Sequence, residues 1–213
     1  MNLIITIALF AFASAQQSTH DPFYCYTTDP IRPQAQMFTT NSAYENIRGN
    51  SVENLLSNCT PTKFWMMSRG GTRLPNENQI IEMTRFGAYL QPRVVNNSDA
   101  GRTQLCRGDL EIIRNWSFNA SITPDRSLEL QQTGWDELRN LAVRYQRVFP
   151  GILPATYNAR QFRFRHTYRE RTADSLSAFA QGLFGHTNVE FDDIPEMDRL
   201  LRVRRKAYFD AKI

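Results

Sequence analysis

Four apolar residues in a row, Phe64-Trp65-Met66-Met67, lie between Pro61 and a glycine pair at Gly70 and Gly71. The run is too short for an independent helix and too apolar for a surface turn, so Thr62 to Ser68 reads as a buried strand. A buried strand must be covered on both faces, and the patterns that follow predict what covers it. From Asn76 to about Gln91, Ile80, Ile81, Met83, Phe86, Tyr89 and Leu90 repeat at helical spacing, with Pro92 predicting the stop. A second helix is predicted with Thr133 as its cap and with Asp136 and Glu137 in its first turn, where the helix dipole favours acids. Its apolar stripe is Leu138, Leu141, Ala142, Tyr145 and Phe149, and Pro150-Gly151 ends it. Between Gln161 and Thr167, Phe162 and Phe164 alternate with Arg163 and Arg165, the period of a half-buried strand. Leu176, Phe179, Ala180 and Leu183 then define a third helix from Arg171 to Phe184, core-packing in character, with Gly182 and Gly185 at its exit. A weaker helical signal spans Leu105 to Trp116. Strands separated by helices predict an α/β fold with a doubly wound parallel sheet and flanking helices.

The chain has 213 residues and is 41% apolar, enough for one domain with its own core. Its first fifteen residues carry an uncharged apolar stretch from Leu3 to Phe12 and the small residues Ala13-Ser14-Ala15, which predict a signal peptide over 1–15. That stretch is too short to cross about 30 Å of hydrocarbon. Residues 16–57, polar and broken by Pro22, Pro30 and Pro33, read as an N-terminal extension, leaving 58–213 for the domain proper. Sequons at Asn58, Asn96, Asn115 and Asn119 agree with passage through the secretory pathway, to the outside or to the endoplasmic reticulum lumen. Three cysteines, Cys25, Cys59 and Cys106, leave one thiol without an internal partner in an oxidising compartment. They and the histidines His20, His166 and His186 show no close ligand spacing, so no metal and no cofactor is expected. The formal net charge is +4, but the basic residues are scattered until Arg202-Val203-Arg204-Arg205-Lys206 and the aromatics follow core periodicity. Nucleic acid is therefore not an expected partner.

The chemistry concentrates in the turn Arg69-Gly70-Gly71-Thr72-Arg73-Leu74-Pro75. Arginine's planar fork donates two parallel hydrogen bonds to phosphate oxygens, and glycines let backbone N–H groups approach the same anion. Arg171 stands where the second strand pattern gives way to a helix, the place at which open α/β sheets bind ligands. Arg69, Arg73 and Arg171 are the candidate phosphate-binding residues.

This turn resembles the R-H-G-x-R-x-P signature of the histidine acid phosphatases at every fixed position except the histidine, which is Gly70. Arg171-Thr172 followed by Ala178-Phe179-Ala180-Gln181-Gly182-Leu183 is similar to the segment in which that family carries its third phosphate-binding arginine. Leu130-Gln131-Gln132-Thr133-Gly134 is similar to its L-T-x-x-G block. Phe164 to Thr172, Leu141 to Tyr145 and the secretory entry resemble the multiple inositol polyphosphate phosphatase branch.

The resemblance implies a phosphoglycerate-mutase-like sheet and phosphomonoester hydrolysis of inositol polyphosphates or bisphosphoglycerate. In the family the signature histidine attacks phosphorus, three arginines hold the equatorial oxygens, and an acid motif in a later half protonates the leaving oxygen. That later half also supplies the cysteine that pairs with the position of Cys59, and neither it nor the nucleophile is found in this sequence. Deleting a nucleophile from a cooperating unit costs about 10⁶ in rate, whereas three intact arginines, each contributing about 1.5–3 kcal/mol per charge-assisted hydrogen bond, preserve binding. His166, embedded in the alternating pattern, is expected to pack or face solvent rather than replace the nucleophile. The expectations are thus an inactive phosphatase-like chain, a secreted pseudoenzyme that binds polyanionic phosphorylated ligands such as inositol polyphosphate, or a truncated product without function. A partner chain is expected through an unpaired cysteine or an exposed sheet edge.

Overall fold

The computed structural model describes residues 24–32, 38, 41–49 and 59–192. The apolar N-terminal stretch, most of the extension, Asn58 and the basic residues 202–206 lie outside them. Five helices are present among the described residues: α1 (Tyr44–Ile47), α2 (Glu77–Asp99), α3 (Arg107–Asn115), α4 (Gln132–Val148) and α5 (Glu170–Phe184), with a 3₁₀ turn at Pro124–Arg126. They fall into two compact units, one within Met1–Pro33 and Ile81–Ala120, the other within Gln34–Ile80 and Ser121–Ile213.

The first unit is organised around the N-terminus of α3. Its cap residue, Cys106, makes no side-chain capping bond. Instead Asp109 in the first turn accepts the N–H groups of Tyr26 at 2.8 Å and Thr27 at 2.9 Å, and a disulfide joins Cys25 to Cys106. Cys59 is the free, exposed cysteine. At the other end of α3 the Gln91 amide donates to the carbonyls of Ile113 at 2.8 Å and Trp116 at 2.7 Å, satisfying acceptors that a helix end leaves open. This clamp bears on a correction: α2 does not stop at Pro92 but runs through it to Asp99. Proline removes one helical hydrogen bond, and the tethered neighbour Gln91 holds the same turn helical from outside.

The second unit is built on α4 against α5. Gly182 lets them touch, because a Cβ there would lie 2.2 Å from the Arg139 carbonyl oxygen and 2.7 Å from Ala142. Gly182 is thus an interior crossing point, while Gly185, with φ 76°, ends α5 in the left-handed conformation. Trp135 donates its indole N–H to Gln181 at 2.8 Å across the pair. Leu138, Ala142, Leu153, Phe164, Ala178, Phe179, Leu183 and Phe184 are buried together, with Phe64, Met66, Leu176 and Phe162 packed against them.

The expected sheet is not formed among the described residues. Strand pairing there consists of two isolated bridges, Arg73 with Leu130 antiparallel and Phe164 with Phe191 parallel. The 62–68 run, expected to be buried on both faces, is covered on one side only, whereas the period-two run at 161–167 keeps its alternate facing without a ladder. Phe64 and Met66 face the core while Trp65 is 83% and Met67 65% exposed, and Phe162 and Phe164 turn inward while Arg163 and Arg165 face out. Alternation fixes which side a residue faces; a ladder needs a neighbouring strand, which periodicity cannot supply. The start of α4 also differs from expectation: Gln131 is its N-cap, Thr133 lies inside the helix, and its first turn carries no acid.

Candidate functional site

The turn from Arg69 to Arg73 is held by backbone rather than by a strand ladder. Leu74 donates its N–H to the Glu129 carbonyl at 2.9 Å and Gln131 donates to the Thr72 carbonyl at 3.0 Å, so the turn's exit lies along the segment that enters α4. The approach is as close as glycine permits. A Cβ on Gly71 would lie 2.3 Å from the Gly134 carbonyl oxygen, and a Cβ on Gly134 would lie 2.2 Å from the Thr72 carbonyl oxygen. Both distances are shorter than any real carbon contact, so the Gly71–Gly134 crossing fixes the turn against α4.

The other side of the turn meets the start of α5. Gly71 donates its N–H to the Ser175 hydroxyl at 3.1 Å, and that hydroxyl donates to the Arg171 carbonyl at 2.6 Å. Thr172 reaches back with its own hydroxyl to the Arg169 carbonyl at 2.6 Å, closing the connection into the helix. Gly70 faces this junction: a Cβ there would meet Ser175 Oγ at 3.2 Å, Thr172 Cγ2 at 3.7 Å and the Arg171 carbonyl oxygen at 3.9 Å. The signature turn and the helix start that carries Arg171 are therefore neighbours, 104 residues apart in the case of Gly71 and Ser175.

Of the three candidate arginines, Arg69 and Arg73 are exposed and Arg171 is half-buried. Arg73 donates from Nη1 to the Leu74 carbonyl at 2.8 Å. Asp174 lies one turn into α5, its carboxyl pushed above its ordinary value by burial first and by the Glu170 carboxylate second. His166 sits edge-on to Phe191 with ring centroids 5.3 Å apart, and its Nδ1 lies 2.6 Å from the Thr167 carbonyl oxygen. It packs, as its place in the alternating pattern predicts. The sequons at Asn96, Asn115 and Asn119 are exposed and all belong to the first unit.

One residue of this constellation escaped the sequence reading. Glu137 is 4% exposed, and its carboxylate accepts the Thr72 N–H at 2.9 Å, the Thr72 hydroxyl at 2.8 Å and the Tyr44 N–H at 3.0 Å. It does not serve the helix dipole; it braces the turn and ties α1 to it. The available signal was its register: Gly134, Glu137, Leu138 and Ala142 share the buried face of α4, and an acid on that face requires partners.

The arginine-bearing turn thus packs against the starts of two helices, and the chain belongs to the histidine phosphatase superfamily (branch 2), whose family model matches residues 60–205. Multiple inositol polyphosphate phosphatase 1 of Drosophila melanogaster is 39% identical over 210 residues, covering 95% of this chain and 44% of the fly protein. The Homo sapiens protein of the same name is 26% identical over 203 residues, covering 84% of this chain and 41% of the human one. The chain thus spans less than half the length of these relatives. No solved structure matches it.

Proposed function

We propose that this chain is a multiple inositol polyphosphate phosphatase-like protein that binds phosphorylated small molecules at the Arg69–Arg73 turn together with Arg171, without hydrolysing them. The observation that carries this reading is the junction of Gly70 and Gly71 with Arg171 and Ser175, which brings the turn's backbone to the helix start bearing the third arginine. The catalytic half of the reading rests on Gly70: no imidazole occupies the position, and Ser175, the nearest hydroxyl, is buried and already donates to a carbonyl. A serine whose proton is engaged with the Arg171 carbonyl is not an activated nucleophile.

The same reading treats 62–68 and 161–167 as strands of a doubly wound sheet in the family fold, supported by their alternate facing. It also includes secretion and glycosylation, supported by the apolar leader and by the exposed side chains of Asn96, Asn115 and Asn119. Isothermal calorimetry with inositol hexakisphosphate is expected to give salt-sensitive binding that Arg73→Ala weakens at least tenfold, while a colorimetric assay detects no phosphate release. Binding indifferent to Arg73→Ala removes the binding reading, and phosphate release abolished by the same substitution removes the inactive one.

A further inference from the structure

A second basic site lies in the same unit, away from the signature turn. A cavity of about 470 Å³ opens between α1 and α4, lined by Glu45, Arg48, Asn140, Val143, Arg144 and Arg147. The sequence places these residues together for a simple reason. Asn140, Val143, Arg144 and Arg147 occupy one face of α4 at spacings of three and four, and Glu45 and Arg48 are one turn apart at α1.

The charges in this cleft do not balance. Glu45 accepts from the Arg48 Nε and from Arg144 Nη1 at 3.3 Å, so one carboxylate is shared by two guanidinium groups. Arg147, exposed at the rim, adds a third cation to the same lining. Arg144 is held in place by Glu45 and by the Tyr44 ring beneath it, 5.5 Å from the guanidinium carbon to the centroid. Its Nη2 is buried and has no hydrogen-bond partner among the described residues. Three guanidinium groups against one carboxylate leave the lining with excess positive charge, which an anion in the cleft would balance. The rigid fork of arginine suits a tetrahedral oxyanion better than a monatomic one.

We propose that the cleft between α1 and α4 is a second, non-catalytic binding site for a phosphate-type oxyanion, held by the guanidinium groups of Arg48, Arg144 and Arg147 that line it. Glu45 is the internal anion that keeps the arginines in register, and the ligand supplies the missing negative charge.

The test uses the full chain and inorganic phosphate, titrated by calorimetry at constant ionic strength against a chloride background. Arg147→Glu is the informative variant, because Arg147 is exposed and its replacement leaves the Glu45–Arg144 contact in place; circular dichroism checks that it folds. The expected result is that Arg147→Glu weakens one phosphate-binding event at least tenfold, while Arg73→Ala leaves that event unchanged. A parallel arm measures cosedimentation with vesicles of phosphatidylcholine and phosphatidic acid. Loss of cosedimentation in Arg147→Glu, without calorimetric binding of free phosphate, would assign the oxyanion to a lipid headgroup. The proposal is overturned if neither arm responds to Arg147→Glu, or if Arg73→Ala alone abolishes all phosphate binding. Because the two variants report on different sites, failure here leaves the reading of the signature turn standing.

Discussion

Two glycines and one acid settle the shape of the candidate turn. Gly71 and Gly134 are pressed backbone to backbone, so Gly71→Ala and Gly134→Ala must each displace main chain rather than a flexible side chain. Each is expected to cost about 1–3 kcal/mol or more, the usual range for overpacking, read as a lower midpoint in urea. Glu137→Ala would leave the Thr72 N–H, the Thr72 hydroxyl and the Tyr44 N–H without their acceptor. At about 1–3 kcal/mol for each buried donor left unsatisfied, that single change is expected to destabilise the chain more than any surface substitution. Gly70 behaves differently. Its φ is not in the left-handed region, and an added Cβ meets only Ser175 Oγ closely, at 3.2 Å. Gly70→His is therefore expected to fold, and under the proposed function to trap one equivalent of phosphate as a covalent phosphohistidine when given labelled p-nitrophenyl phosphate, whose P–O bond breaks to release a nitrophenolate that needs no protonating acid. A folded variant that binds ligand but never labels would mean that the turn does not aim residue 70 at phosphorus.

Among the elements, α1 is short, with no side-chain cap, and owes its position to partners outside itself. Burial pushes the Glu45 carboxyl up, but the guanidinium groups of Arg48 and Arg144 outweigh this and hold it below the usual glutamate value. A folded value lower than the unfolded one contributes stability above the ordinary carboxylate range and loses it as pH falls through the folded value. Acidification through pH 4 and below is thus expected to release α1 before α4 and α5 melt, seen as earlier amide exchange at residues 44–48. In α2, Pro92→Ala restores a donor and removes a ring clash, and is expected to stabilise that helix by up to about 3 kcal/mol. Helices α2, α4 and α5 were legible from sequence because glycine, proline and apolar spacing are local signals, whereas α1, inside the stretch read as an irregular extension, was not. Even so, the continuation past Pro92 depends on Gln91 reaching α3, a contact 22 to 25 residues away that no local pattern encodes. The candidate arginines came from their motif, and the structure sets the turn of Arg69 and Arg73 beside the helix start of Arg171. Glu137 was not legible, because its donors lie 65 and 93 residues off. The 161–167 run was legible in which way each residue faces, the 62–68 run was not, since its second face is open at Trp65 and Met67, and pairing was illegible in both, for pairing belongs to two segments at once.

At the scale of the whole molecule, the exposed Trp65 and Met67 leave one side of the 62–68 run apolar and open to water. Trp65→Lys is expected to raise solubility without lowering the thermal midpoint, since Trp65 is not packed on the core and Phe64 and Met66 are. The disulfide acts over a longer range. Cys25 and Cys106 are 81 residues apart, and a loop of that size implies about 4.5 kcal/mol of stabilisation on the chain-entropy account. Adding a reductant is expected to lower the melting temperature of the oxidised chain accordingly. The bond also encloses the signature turn within its loop. A protease that cuts once after the exposed Arg69 or Arg73 therefore yields two pieces that travel as one band on a gel run without thiol and part only when thiol is added, so damage at this turn goes unseen wherever the surroundings stay oxidising.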